Sequence, residues 1–137
     1  MRIPRVFIDE MIAHAREEAP NECCGVVAVE DGQLPRATRL HRAVNMAASP
    51  LRFEVEGREL LHTLEAIERD GYALGAIYHS HTRTAPYPSQ TDISFAANWP
   101  GLEWIIVGLA EGEPPPVRSY LITGGEVEEV AIEETAG

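Results

Sequence analysis

The residue pattern predicts an α/β domain: one mixed β-sheet with helices packed on it. Three observations carry this. Some six to eight short stretches are β-branched or alternate apolar with polar residues. Three stretches repeat apolar residues at helical spacing. The two kinds do not follow one another in strict βαβ order, so an all-parallel sheet is not expected. At 137 residues the chain fits one domain, taken as 1–134, with 135–137 expected as a disordered tail.

The elements follow in order. Asp9 is a plausible N-cap, and Met11, Ile12, Ala15 and Ala19 follow at helix-like spacing until Pro20. A first helix is therefore expected over about 9–19. Cys23 to Glu30 is short and apolar, closes at Asp31-Gly32, and pairs as a hairpin with Arg36 to Asn45. Arg52 to Val55 reads as a short strand. Leu60, Leu61, Leu64, Ala66 and Ile67 share one helical face, and Asp70-Gly71 ends that helix. Tyr72 to His79 is the expected central strand. Ser89 opens a short helix to about Ala97, stopped by Pro100-Gly101. Leu102 to Leu109, Val117 to Ile122 and Glu126 to Glu133 complete the strands.

The composition is 45% hydrophobic and 24% charged, enough apolar material for a core. A net charge of −11 with scattered basic residues argues against nucleic acid as a partner. The N-terminal residues lack a signal-peptide apolar stretch, and no apolar run approaches the roughly 18 residues of a membrane span. A cytoplasmic protein without a membrane partner is expected, and nothing in the pattern sets an oligomeric state. Cys23 and Cys24 are adjacent, which fits neither a disulfide framework nor a Cys-x-x-Cys zinc pair. Packing at the start of a strand is their expected role.

Chemistry concentrates at the end of the central strand, where His79-Ser80-His81 is followed by Ser89 and Asp92. Residues i and i+2 of a strand share a face, so both histidines can ligate one metal while Ser80 points away. Neutral imidazole suits Zn²⁺, and a catalytic zinc needs a third protein ligand and an open position. Asp92, in the first turn of a helix capped by Ser89, is the natural third ligand. Pro86 and Pro88 stiffen the excursion that would bring it back. Hydrolysis of an amide also needs a general base and an oxyanion donor. Ser89 can be the donor. Glu22 stands out by context as base, a carboxylate at the mouth of an apolar strand.

These residues resemble the complete signature of the JAMM/MPN+ metalloprotease family: a distant Glu22, then His79-Ser-His81, then Ser89-x-x-Asp92. The resemblance is sharpest over 72–92 and is supported at 20–25 by Pro-x-Glu-x-Cys-Gly. Within the family, the segments 77–82 and 85–92 look most like the bacterial Mec-type proteins. The resemblance implies a single JAMM/MPN domain of cytidine-deaminase-like fold, with His79, His81 and Asp92 on zinc, Glu22 as base and Ser89 as oxyanion stabiliser. It also implies a ubiquitin-like or sulfur-carrier protein of β-grasp fold as substrate, cut by a peptide or isopeptide hydrolysis at its C-terminus. Release of cysteine from a carrier–cysteine adduct is the Mec-type form of that activity.

A lone His-x-His is most often two surface histidines, and Ser-x-x-Asp alone is a common capping pattern. Their joint occurrence with Glu22 favours the catalytic reading. Two other readings stand beside it: a non-catalytic binding module on the same fold, and a small-molecule amidohydrolase. The His-x-Glu and Pro-Cys-x-x-Cys pattern of zinc deaminases is absent.

Overall fold

Apolar residues at every position of the strand Cys24–Val29 demand a sheet covered on both faces, and the chain builds one. The computed structural model describes residues 1–136. The elements are β1 (Arg2–Pro4), α1 (Arg5–Glu18), β2 (Cys24–Glu30), β3 (Arg36–Ala43), α2 (Gly57–Arg69), β4 (Ala73–His81), α3 (Gln90–Ala96), β5 (Glu103–Gly108), β6 (Val117–Thr123), β7 (Glu126–Val130) and β8 (Glu133–Thr135). They form one sheet of eight strands in the order β7-β6-β5-β4-β2-β3-β1-β8. The pairs β4/β5, β1/β3 and β1/β8 are parallel and the others antiparallel. The sheet is mixed, as expected.

Strand periodicity sorts the core into two layers. Val27, Val29, Ala76, Tyr78, Ile105 and Val107 pack with Ile8, Met11, Ile12 and Ala15 of α1. Val26, Ala28, Ile77, Trp104 and Ile106 face the other way, with Ile67 of α2 and Ala96 of α3. His79 and His81 continue the face of Ile77. The sheet curls far enough for the Met1 amine to meet Glu103 of β5 at 3.1 Å. Arg42 of β3 pairs with Glu10 and Glu17 of α1 on the outside. No helix among the described residues is long and apolar enough to cross a membrane.

Four expectations need correction. Helix α1 starts at Arg5, directly after Pro4, rather than at Asp9. Phe7 and Ile8 belong to its apolar stripe, and Asp9 instead pairs with Arg5 one turn back at 2.9 Å. Arg52 to Val55 is not a strand, because the Asn45 side chain takes up its backbone groups where a sheet edge would have done so. The last alternating stretch splits after Val130. Its first part pairs with β6, and Glu133–Thr135 crosses to the opposite edge beside β1. Thr135, expected in the disordered tail, therefore ends a strand, and Gly137 lies outside the described residues.

Candidate metal centre

β4 ends in the sheet interior, and its last turn of alternation sets both imidazoles on the α3 side. His79 is fully buried and His81 nearly so. The chain leaves β4, makes the 82–89 excursion and re-enters as α3. That excursion is anchored at its start by the Thr82 hydroxyl, which donates to Pro20 O at 3.0 Å, and at three further points. His81 Nδ1 meets the Ala85 carbonyl at 2.8 Å. The Tyr120 hydroxyl donates to the Pro86 carbonyl. Pro86 itself lies on β5 where Gly108 has no side chain, since a Cβ there would stand 2.9 Å from the proline ring.

Ser89 then caps α3. Its Oγ accepts the Asp92 N–H at 3.1 Å, while the Asp92 carboxylate accepts the Ser89 N–H at 3.0 Å, a reciprocal capping box. Capping fixes Asp92 with its carboxylate aimed inward. Oδ2 lies 3.1 Å from His79 Nε2 and 3.2 Å from His81 Nε2, and the two nitrogens are 3.2 Å apart. His79, His81 and Asp92 thus form a buried group able to hold a metal ion.

The donor chemistry fits a divalent cation. His81 Nδ1 faces a carbonyl and so carries the ring proton, which leaves the Nε2 lone pair pointing at a carboxylate oxygen. Such converging lone pairs repel unless a proton or a cation lies between them. Among the described residues nothing pairs with the buried His79 Nδ1, and the Phe53 ring lies against the imidazole at 4.6 Å between centroids. The Ala85 carbonyl on His81 and the Ser89 N–H on Asp92 are the orienting contacts that metal ligands use.

Burial works to raise the Asp92 pKa, but the His79 and His81 rings and the Ser89 N–H outweigh it and hold the carboxyl well below the usual range. For His81, burial lowers the pKa, yet the Asp92 and Ala85 contacts leave it raised.

Glu22 is 4% exposed, just before β2. Its backbone is tied down: its N–H donates to Ser49 O at 2.8 Å, and its carbonyl accepts Asn45 Nδ2 at 2.9 Å. Among the described residues nothing hydrogen-bonds its carboxylate. Burial pushes its pKa up to about 8, against the His81 charge and with help from Asp92. A carboxyl that titrates near neutrality within electrostatic reach of His81 and Asp92 can carry a proton in both directions. Ser89 is half-buried, and no described acceptor takes its hydroxyl proton, so it is free to donate.

The structure thus brings His79, His81, Ser89 and Asp92 to one place, with Glu22 close enough to feel the charges of His81 and Asp92. Ser80 points the other way, accepting the Cys23 N–H at 2.9 Å. Burial raises the thiol pKa values to about 11 for Cys23 and about 12 for Cys24, which keeps both unreactive near neutrality. His14 lies in the opposite layer, 2.7 Å from the Tyr78 hydroxyl. Residue-type reasoning passed over Asn45 and Phe53. The only available signal was a Met-Ala-Ala-Ser-Pro stretch too irregular for a strand.

The family model described as prokaryotic homologues of the JAB domain matches residues 4–123. A CysO-cysteine peptidase of Mycobacterium tuberculosis is 35% identical over 126 residues, covering 92% of this chain and 85% of that protein. A desampylase of Haloferax volcanii is 36% identical over 129 residues, covering 90% and 88%. The solution structure of protein DSY2949 from Desulfitobacterium hafniense superposes with a TM-score of 0.89 at 32% identity, over 100% of this chain and 94% of that one.

Proposed function

The chain belongs to the family of prokaryotic homologues of the JAB domain, and on that footing we propose a zinc metallopeptidase that cuts at the C-terminus of a ubiquitin-like or sulfur-carrier protein. The observation that carries the reading is the convergence of His79 Nε2, His81 Nε2 and Asp92 Oδ2, with the largely buried Glu22 within electrostatic reach of His81 and Asp92. The two enzymes named above support the substrate class. One is a CysO-cysteine peptidase, the other a desampylase.

His79, His81 and Asp92 would hold the metal. Two imidazoles and one carboxylate suit zinc and leave a position open. When bound, zinc supplies Lewis acidity, which polarises a carbonyl and brings the pKa of water towards about 7. The rest falls to the chain. Glu22 takes a proton from the attacking water and returns it to the leaving nitrogen as the C–N bond breaks. Ser89 Oγ–H donates to the oxygen that gains charge. The Ala85 carbonyl keeps His81 in the tautomer that presents Nε2, and the capping box keeps Asp92 from turning to solvent. Tyr87, 55% exposed and edge-on to Tyr120, stands at the rim where an extended tail would pass.

The test is to incubate the zinc-loaded protein with a sulfur carrier bearing one C-terminal cysteine, and with an isopeptide-linked carrier. Intact mass spectrometry should show the cysteine lost, the isopeptide cut, or both, and a chelator should stop the reaction. Both substrates surviving intact would overturn the proposal.

A further inference from the structure

We propose that Asn45 is a positioning residue that ties the proton-transfer half of the site to the metal half through the 45–54 loop. The inference rests on the reading of Glu22 as base and His79 as ligand. An irregular loop must find partners for its backbone groups. Here one side chain provides three of them, beside the backbone bonds from Met46 N–H to Glu54 O and from Ala48 N–H to Asn45 O. Asn45 Oδ1 accepts the Ala47 and Glu54 N–H groups, both at 3.0 Å, and closes the loop on itself. Asn45 Nδ2 donates to Arg52 O at 3.0 Å and to Glu22 O at 2.9 Å. The amide is fully used, and one of its four bonds leaves the loop for the backbone of the base. Ser49 O, in the same loop, holds the Glu22 N–H at 2.8 Å. Glu22 is thus gripped on both sides of its Cα.

The far end of the loop reaches the metal half. Phe53 lies against His79 at 4.6 Å with the rings 30° apart. Among the described residues His79 Nδ1 has no hydrogen-bond partner, so on that side of the ring packing against Phe53 takes the place of a hydrogen bond. Phe53 also meets Phe95 of α3 edge-on at 5.8 Å, three residues beyond Asp92. One loop therefore touches the base, a ligand and the helix that carries another ligand. Catalysis by a positioned base is lost with small displacements, so the geometry of this loop is felt at the reacting atoms.

Asn45→Asp dissects the claim. It keeps both acceptor bonds that close the loop and removes both donors, including the one to Glu22. The expected result is a kcat lowered about tenfold or more on the carrier–cysteine substrate, with KM within about twofold and zinc content unchanged. Phe53→Leu should instead weaken zinc binding about tenfold in a chelator competition, which needs no turnover. An Asn45→Asp protein with wild-type kcat would overturn the proposal. So would a kcat that falls only in proportion to lost zinc or lost folded protein. Should Asn45→Asp fail to fold, Phe53→Leu decides, and wild-type zinc affinity there overturns it. If the wild type cuts no carrier, the proposed function fails, while the Phe53 competition still judges the loop.

Discussion

Glu22→Gln should change the pH dependence of stability in the metal-free protein, and the size follows from the site. Burial raises the Glu22 pKa from 4.5 to about 8. The folded state thus binds this proton more tightly than the unfolded chain does. The associated stability is fully present below pH 4.5 and is lost as pH rises through about 8. At about 1.4 kcal/mol per pH unit, the loss is about 3 kcal/mol at pH 7 and about 5 kcal/mol above the folded pKa. The carboxylate oxygens keep some contact with solvent, which screens part of this, so these values are upper limits. Glutamine has nearly the shape of the neutral acid and never ionises. The two metal-free proteins should therefore match at pH 4 and diverge upward, with Glu22→Gln the more stable. In urea, at an m-value of about 1.5 kcal/mol/M, the midpoint gap at pH 7 is at most roughly 2 M. Added zinc should narrow it, since a cation beside Glu22 favours its ionised form. A gap that is flat from pH 4 to 9, or of opposite sign, would refute the placement of Glu22 as a buried carboxyl.

Other perturbations separate the parts of the fold. Gly108→Ala puts a methyl 2.9 Å from the Pro86 ring and should cost about 1–3 kcal/mol in denaturant melts, with reduced zinc retention because the loop to Asp92 shifts. Asp92→Asn keeps a capping side chain but removes the charge, so dialysed protein should lose its zinc while circular dichroism stays unchanged. Tyr78→Phe leaves the buried His14 Nδ1 without its 2.7 Å partner and should cost about 1–3 kcal/mol in the same melts. Burial also lowers the His14 pKa below 6.5, so its contribution to stability is present above pH 6.5 and is lost as pH falls.

The parts of this protein that obey a short period were legible in its residues. Alternation along β4 placed His79 and His81 on one face, and the Ser89-x-x-Asp92 spacing announced the capped helix that delivers the third donor. Tertiary connections were not legible. Nothing local says that Arg52 to Val55 forgoes a strand, because the competing partner is the Asn45 side chain seven or more residues away. Helix α1 hid its start because Pro4 ends a strand and precedes a helix without a side-chain cap. The crossing of Glu133–Thr135 to β1 depends on how far the sheet curls, a property of the whole chain. Glu22 stood out by context and by resemblance, and its burial became visible only once Ser49 and Asn45 were seen to enclose it.

The central claim is that the site has two separable halves, a metal half at the end of β4 and a proton-transfer half at the start of β2. Zinc content and turnover of the carrier–cysteine substrate, measured side by side on Glu22→Gln and His79→Ala, test it most directly. Glu22→Gln should retain stoichiometric zinc without hydrolysis, and His79→Ala should lose both. A Glu22→Gln protein that holds zinc and still turns over at the wild-type rate would contradict the claim.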